Sequence, residues 1–161
     1  MKRQNLQVTT ATVIGLSLLL SGVVLAQESE QRVKMKDLPQ AVQQTARQQS
    51  RGASIKGFSK EVEHGQTFYE VEMKVHGHGK DVLIDPNGVV VEIEEEVPLA
   101  SLAPDVRVTI EQNADKGKVR KVESITRNKV IVAYEAVVQK AGKKSEIKVA
   151  PDGKLMHGDK Q

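Results

Sequence analysis

The chain has no cysteine, no tryptophan, and only two phenylalanines and two tyrosines in 161 residues. Without cysteine there are no disulfide staples, on which small secreted domains often rely, and no thiol nucleophile. Packing alone must hold this protein together. The scarce aromatics (Phe58, Phe68, Tyr69 and Tyr134) leave few anchors for a tight interface, because binding energy concentrates on large aromatic and arginine side chains. A modest contact with any partner is therefore expected. There is also no Gly-x-Ser-x-Gly elbow, no Ser or Thr paired with a histidine base, and no carboxylate pair in sequence surroundings apolar enough to raise a pKa. With no nucleophile, base or closed metal site to assemble, the sequence argues against an enzyme and requires no cofactor.

Excess positive charge is largely missing as well, once the N-terminus is set aside. Lys2 and Arg3 precede an apolar stretch from Ala11 to Ala26, and Val24-Leu25-Ala26 suits signal-peptidase cleavage before Gln27. Residues 1–26 are thus predicted to be a signal peptide, and the product to be periplasmic or secreted. A retained anchor is the competing reading, in which the membrane is met only through an uncleaved leader. Against it, Gly15, Ser17, Ser21 and Gly22 interrupt the run and no basic flank follows. Removing 26 residues leaves 135, and losing Lys2 and Arg3 lowers the net charge from +3 to +1. A near-neutral protein has no electrostatic footprint for nucleic acid.

The remainder contains one pattern twice. Shifted by 65 positions, Tyr69-Glu70 falls on Tyr134-Glu135, Gly77 on Gly142, Pro86 on Pro151 and Gly88 on Gly153. Val82, Ile84 and Val90 land on Ile147, Val149 and Leu155. A shift of 64 lays Val42 on Val106, Ile55 on Val119 and Phe58 on Val122, and one residue of slack near Gly65 reconciles the registers. The units are expected to span residues 33–97 and 98–161, joined near Pro98 to Ala103. At roughly 60 residues each is marginal alone, so mutual packing or a shared sheet would help both.

Each unit opens on a helix signal. Asp37-Leu38-Pro39 offers a capping side chain and a first-turn proline, followed at helical spacing by Leu38, Val42, Thr45 or Ala46 and Gln49, up to a stop at Gly52. Pro104-Asp105 starts the second helix, Val106, Ile110 and Ala114 carry its stripe, and Gly117 ends it. Both stripes are thin, so the helices depend on a sheet beneath them. Strands fill the rest. Tyr69, Val71, Met73 and Val75 face one way and Phe68, Glu70, Glu72 and Lys74 the other. Val130, Val132, Tyr134, Ala136 and Val138 share one face in the second unit. Asp85-Pro86-Asn87-Gly88 and Ala150-Pro151-Asp152-Gly153 suit type I turns before final strands from Val89 to Val97 and from Lys154 to His157. The predicted fold class is α+β: two tandem repeats, each an N-terminal helix packed on a four-stranded antiparallel sheet.

This order of elements resembles the PepSY-like units of bacterial exported proteins, whose fold is similar to that of beta-lactamase inhibitor protein. The resemblance covers Met35 to about His157. It is carried by Leu38-Pro39-Gln40-Ala41-Val42, Tyr69-Glu70-Val71 and Asp85-Pro86-Asn87-Gly88, with Tyr134-Glu135-Ala136 and Pro151-Asp152-Gly153 in the second copy. It implies a concave surface made by open sheet faces, and a role in binding or inhibiting exported peptidases. Two departures stand out: the inhibitor's disulfides are impossible here, and its aromatic-rich binding face has no counterpart.

Phe68 is the apolar residue that breaks the pattern, since it points with Glu70 and Glu72. These three stand on one face of one strand, so a partner laid there meets them together. They are the expected partner-binding residues of an exported, non-enzymatic binding module, a peptidase inhibitor or regulator. The alternative is a periplasmic metal-binding or envelope-stress protein using His76 and His78. Two imidazoles one residue apart in a tight loop can chelate copper, nickel or zinc, with His64 or His157 completing the site. Against this, the second unit has Ala141-Gly142-Lys143-Lys144 at that place, so the turn does not need histidine. Glu92, Glu94 and Glu96 are expected to line a solvated strand face that discourages edge-to-edge aggregation. Asp85 to Gly88 forms a turn and not a calcium loop, because Pro86 breaks the alternation of ligands.

Overall fold

Leu38, Val42 and Ala46 recur every four residues and are buried, the last two within α1 (Gln40–Gln49). Leu102, Val106 and Ile110 do the same around α2 (Pro104–Asn113). That spacing keeps one narrow stripe facing inward on a helix of 3.6 residues per turn. The computed structural model describes residues 29–63 and 65–156. The expected leader, His64 and His157 lie outside the described residues.

The stripes pack on antiparallel strands in strict sequence order: β1 (Ser29–Val33), β2 (Ser54–Glu63), β3 (Gln66–Val75), β4 (His78–Ile84), β5 (Val90–Glu96), β6 (Lys118–Arg127), β7 (Val130–Lys140), β8 (Lys143–Val149) and β9 (Leu155–Met156). The α+β class holds, but the two four-stranded sheets do not exist as separate layers. Pairing of Ile93 with Thr126 through Glu96 with Glu123 joins β5 to β6, so all nine strands form one sheet. The reason is physical: each sheet edge carries a row of unpaired N–H and C=O groups, and joining the units removes two exposed edges. β1 was not anticipated. Its sequence, SEQRV, is almost wholly exposed and carries no apolar alternation, yet it hydrogen-bonds to β2 from Ser29–Val62 to Val33–Phe58.

Two cores result on the helix side of the sheet. Val71, Met73, Val82 and Ile84 meet α1, with Tyr69 packed at the margin. Val122, Ala136, Val138 and Val149 meet α2, with Tyr134 in the matching place. Burying each such aliphatic side chain is worth roughly 1.5–3 kcal/mol. The same hydrogen bonds recur in both halves. Thr45 donates to the carbonyl of Gly88 at 2.6 Å, and Thr109 to that of Gly153 at 2.7 Å. Gly88 N–H donates to Asp85 and Gly153 N–H to Ala150, each at 2.9 Å, closing both turns. Asp37 does not cap α1. It lies in a short 3-10 turn (Met35–Asp37), and the helix begins after Pro39 with no side-chain cap.

Candidate functional site on the helix-free sheet face

Since Tyr69, Val71 and Met73 take the core side of β3, alternation sends Phe68, Glu70 and Glu72 to the side that, among the described residues, no helix covers. Register carries that face across the sheet. Glu70 is paired with Ser59 and Leu83, Glu72 with Asp81, Asp81 with Glu94, and Glu94 with Ile125. The face is not simply washed by solvent. Ser59 is 0% exposed, Ile125 1% and Glu123 3%. Register shifts at Ile55–Gly57, Leu83–Ile84 and Ile125–Thr126 mark bulges, which bend and twist a sheet about such a face.

Carboxylates crowd this partly dry surface. The Ser59 hydroxyl lies 3.0 Å from Glu70 Oε2 and 3.2 Å from Glu61 Oε1, and its single hydrogen can serve only one of them at a time. Burial, then the charge of Glu61, pushes Glu70 up to about 8. Burial also raises Glu61. Glu94 is pushed up to about 8 by burial and the charges of Glu123 and Glu92, and Asp81 to about 6 by burial and Glu123. Cations offset only part of this: Lys121 lies 2.6 Å from Glu123, Arg32 2.6 Å from Glu72, Lys148 3.1 Å from Glu135, and Arg127 pairs with Glu92. The expectation of a solvated strand at Glu92, Glu94 and Glu96 is thus corrected. Glu92 and Glu94 are half-buried because β6 lies against β5, a neighbour that the strand's own sequence does not announce. The expectation that no carboxylates sit in pKa-raising surroundings falls for the same reason.

Beside these acids opens a cavity of about 410 Å³. Phe68, Leu83 and Val91 supply its apolar lining, and Glu63, Gln66, Glu92 and Arg127 its polar wall. Phe68 is half-buried there, with Arg127 of the second half on the same cavity wall. The structure therefore brings Phe68, Glu70 and Glu72 onto one face, adds Ser59, Glu61, Asp81, Leu83 and Glu123, which sequence reasoning did not single out, and joins to them Glu94, which it had read as solvated. Alternation along β4 could have placed Asp81 and Leu83 there. Register alone reveals that they adjoin Glu94 and Glu92.

His76 and His78 flank Gly77 where β3 turns into β4, and both are exposed. Among the described residues, two carboxylate trios have oxygens within 4.8 Å of one another: Asp81, Glu94 and Glu123, and Glu30, Glu70 and Glu72. Neither includes a histidine. Oxygen-only donors suit hard cations, which take six to eight ligands, and each trio supplies three residues.

A family model described as beta-lactamase-inhibitor-like and PepSY-like matches residues 25–92 and again residues 76–157. Among solved structures, the chain is similar to a candidate periplasmic protein from Bacteroides eggerthii (TM-score 0.61, 17% identity, covering 74% of this chain and 86% of that one). It is similar to a DUF2874 family protein from Bacteroides ovatus (TM-score 0.57, 21% identity, 74% and 85% covered). It is also similar to a BLIP-like protein from Bacteroides fragilis (TM-score 0.53, 23% identity, 77% and 91% covered). Comparison with curated proteins gives no match. Identities this low speak for a shared fold.

Proposed function

The chain belongs to the beta-lactamase-inhibitor-like, PepSY-like family, and on that premise we propose that it is an exported, non-enzymatic binding module that engages a protein partner through the helix-free face of its sheet. The observation that carries this reading is the grouping on one side of β3 of Phe68, Glu70 and Glu72, beside a cavity with an apolar lining. A surface of fixed strands presents these side chains at fixed spacing, so a partner gains contacts without first ordering a loop. Export is supported by the leader ending at Ala26 and by the description of the Bacteroides eggerthii protein as a candidate periplasmic one. Regulation or inhibition of an exported peptidase is the role this reading favours, by analogy with the BLIP-like fold.

Photo-crosslinking from position 68 in intact cells, with mass-spectrometric identification of the captured protein, tests the proposal. Glu70→Lys and Glu72→Lys should each reduce capture, and Phe68→Ala should reduce co-purification of the partner so identified, while His76→Ala with His78→Ala leaves both intact. Binding that survives all three strand changes and disappears with the histidines would overturn the sheet-face reading in favour of a metal-dependent one.

A further inference from the structure

Resting on the reading that the helix-free face is the working surface, we propose that the partner presents a basic segment, one lysine or arginine of which seats in the cavity lined by Phe68, Leu83 and Val91 with its charge against Glu63 and Glu92. The cavity's volume of about 410 Å³ lies at the lower end of the range for ligand pockets. Its composition is that of a long basic side chain in negative image. Three apolar groups meet the methylene stem, and carboxylates at the wall meet the cationic head. The ring of Phe68 adds a face on which a guanidinium or ammonium is attracted.

The protein itself shows the chemistry at one wall. The guanidinium of Arg127 is already bonded to Glu92, but from outside: the Arg127 side chain is 60% exposed and that of Glu92 13%. Only the Arg127 end of the pair is exposed, so Arg127 can move into solvent provided that a guest cation takes its place on the half-buried Glu92. The surroundings exclude the opposite charge. Glu61, Glu70, Asp81 and Glu94 adjoin the cavity on the same face, where burial and neighbouring carboxylates raise the pKa of each, so a further negative charge beside them is disfavoured. An anionic segment would add to the repulsion among them, whereas a cation relieves it. A carboxylate-rich face also repels anionic lipid and nucleic acid, which leaves a basic protein segment as the occupant.

The test titrates the exported protein, labelled for NMR, with the blocked hexapeptide Ala-Leu-Lys-Leu-Lys-Ala and with its norleucine and glutamate counterparts. The lysine peptide should move the amide resonances of Phe68, Leu83 and Val91. The norleucine form should bind at least about tenfold more weakly, and the glutamate form should not bind. Glu63→Gln and Phe68→Leu should each weaken the lysine peptide roughly threefold to tenfold, with melting temperatures confirming that both variants fold. Arg127→Gln should tighten it about threefold by freeing Glu92, a change in the direction opposite to the one an anion site would give. The proposal is overturned if Arg127→Gln weakens binding, if norleucine serves as well as lysine, if shifts map elsewhere, or if millimolar lysine peptide does not bind. Spermidine binding as tightly as the peptide would assign the cavity to a small polyamine instead. Crosslinked capture from position 68 that is unaffected by Glu63→Gln and Arg127→Gln would leave the sheet-face reading standing while removing the basic partner. Absence of any capture from position 68 in the otherwise unaltered protein would remove both.

Discussion

The hydroxyl of Thr45 donates a 2.6 Å hydrogen bond to the carbonyl of Gly88, tying the middle of α1 to the turn between β4 and β5. That turn also needs the glycine itself. Gly88 has φ +87°, and a Cβ there would stand 2.9 Å from the carbonyl oxygen of Ala41 on the helix.

Replacing either partner should therefore destabilise the fold to different degrees. Thr45→Val should cost about 1 kcal/mol, the usual net worth of one hydrogen bond. Gly88→Ala should cost more, roughly 2–3 kcal/mol, because left-handed strain and a backbone clash add together. Urea denaturation of both variants checks the order, and Thr109→Val with Gly153→Ala should repeat it in the second half.

Stability should fall as pH rises from about 5 to 8. Glu70 and Glu94 have folded pKa values raised from 4.5 to about 8, and Asp81 from 3.8 to about 6, chiefly by burial. In that window the folded state holds more protons than the unfolded one, so unfolding becomes easier as protons are withdrawn. Below about pH 4 both states are protonated and these groups contribute no difference. Thermal melts should show a melting temperature lower at pH 8 than at pH 5 by several degrees, on the order of 1 kcal/mol or more. Glu70→Gln and Glu94→Gln should each flatten the profile. A profile that rises between pH 5 and 8 in the wild type would contradict the assignment.

The turn between β7 and β8 is built on Ala141 at φ +48° followed by Gly142 at φ +80°. A two-residue hairpin turn of this hand favours asparagine or glycine at its first position. Ala141→Asn should raise stability by about 0.5–1 kcal/mol in urea titrations. His76 occupies the equivalent place at φ +50°, so His76→Asn should stabilise by a similar amount if the imidazole serves only the turn.

The two halves should unfold together. β5 belongs to the first half by its hairpin with β4 and to the second by its pairing with β6, and neither half can open without exposing that ladder. Far-UV circular dichroism and hydrogen exchange should report a single transition, with protection of the β5 and β6 amides lost at the global step. Two separated transitions would show that the β5–β6 seam is energetically weak.

The PepSY-like character of the chain, its helix stripes, its turns and the alternation of β3 were all legible in the sequence, because each depends on residues within a few positions of one another. Leu38, Val42 and Ala46 announce an inward stripe, Asp85-Pro86-Asn87-Gly88 announces a turn, and Tyr69 against Phe68 and Glu70 announces which side faces the core. Three features were decided only by tertiary structure. β1 has no apolar signal of its own and exists because β2 offers a free edge. The single nine-stranded sheet depends on β5 meeting β6, a pairing across a helix and some 30 residues of chain. The character of the acidic face follows from that meeting. Glu94 reads as a solvated glutamate in its own strand, and it becomes a half-buried one with a raised pKa because Asp81, Glu123 and Ile125 reach it from neighbouring strands. Local sequence sets what each side chain is and which way it points. Its ionisation depends on the dielectric and charges around it, and those are supplied by residues distant in the chain.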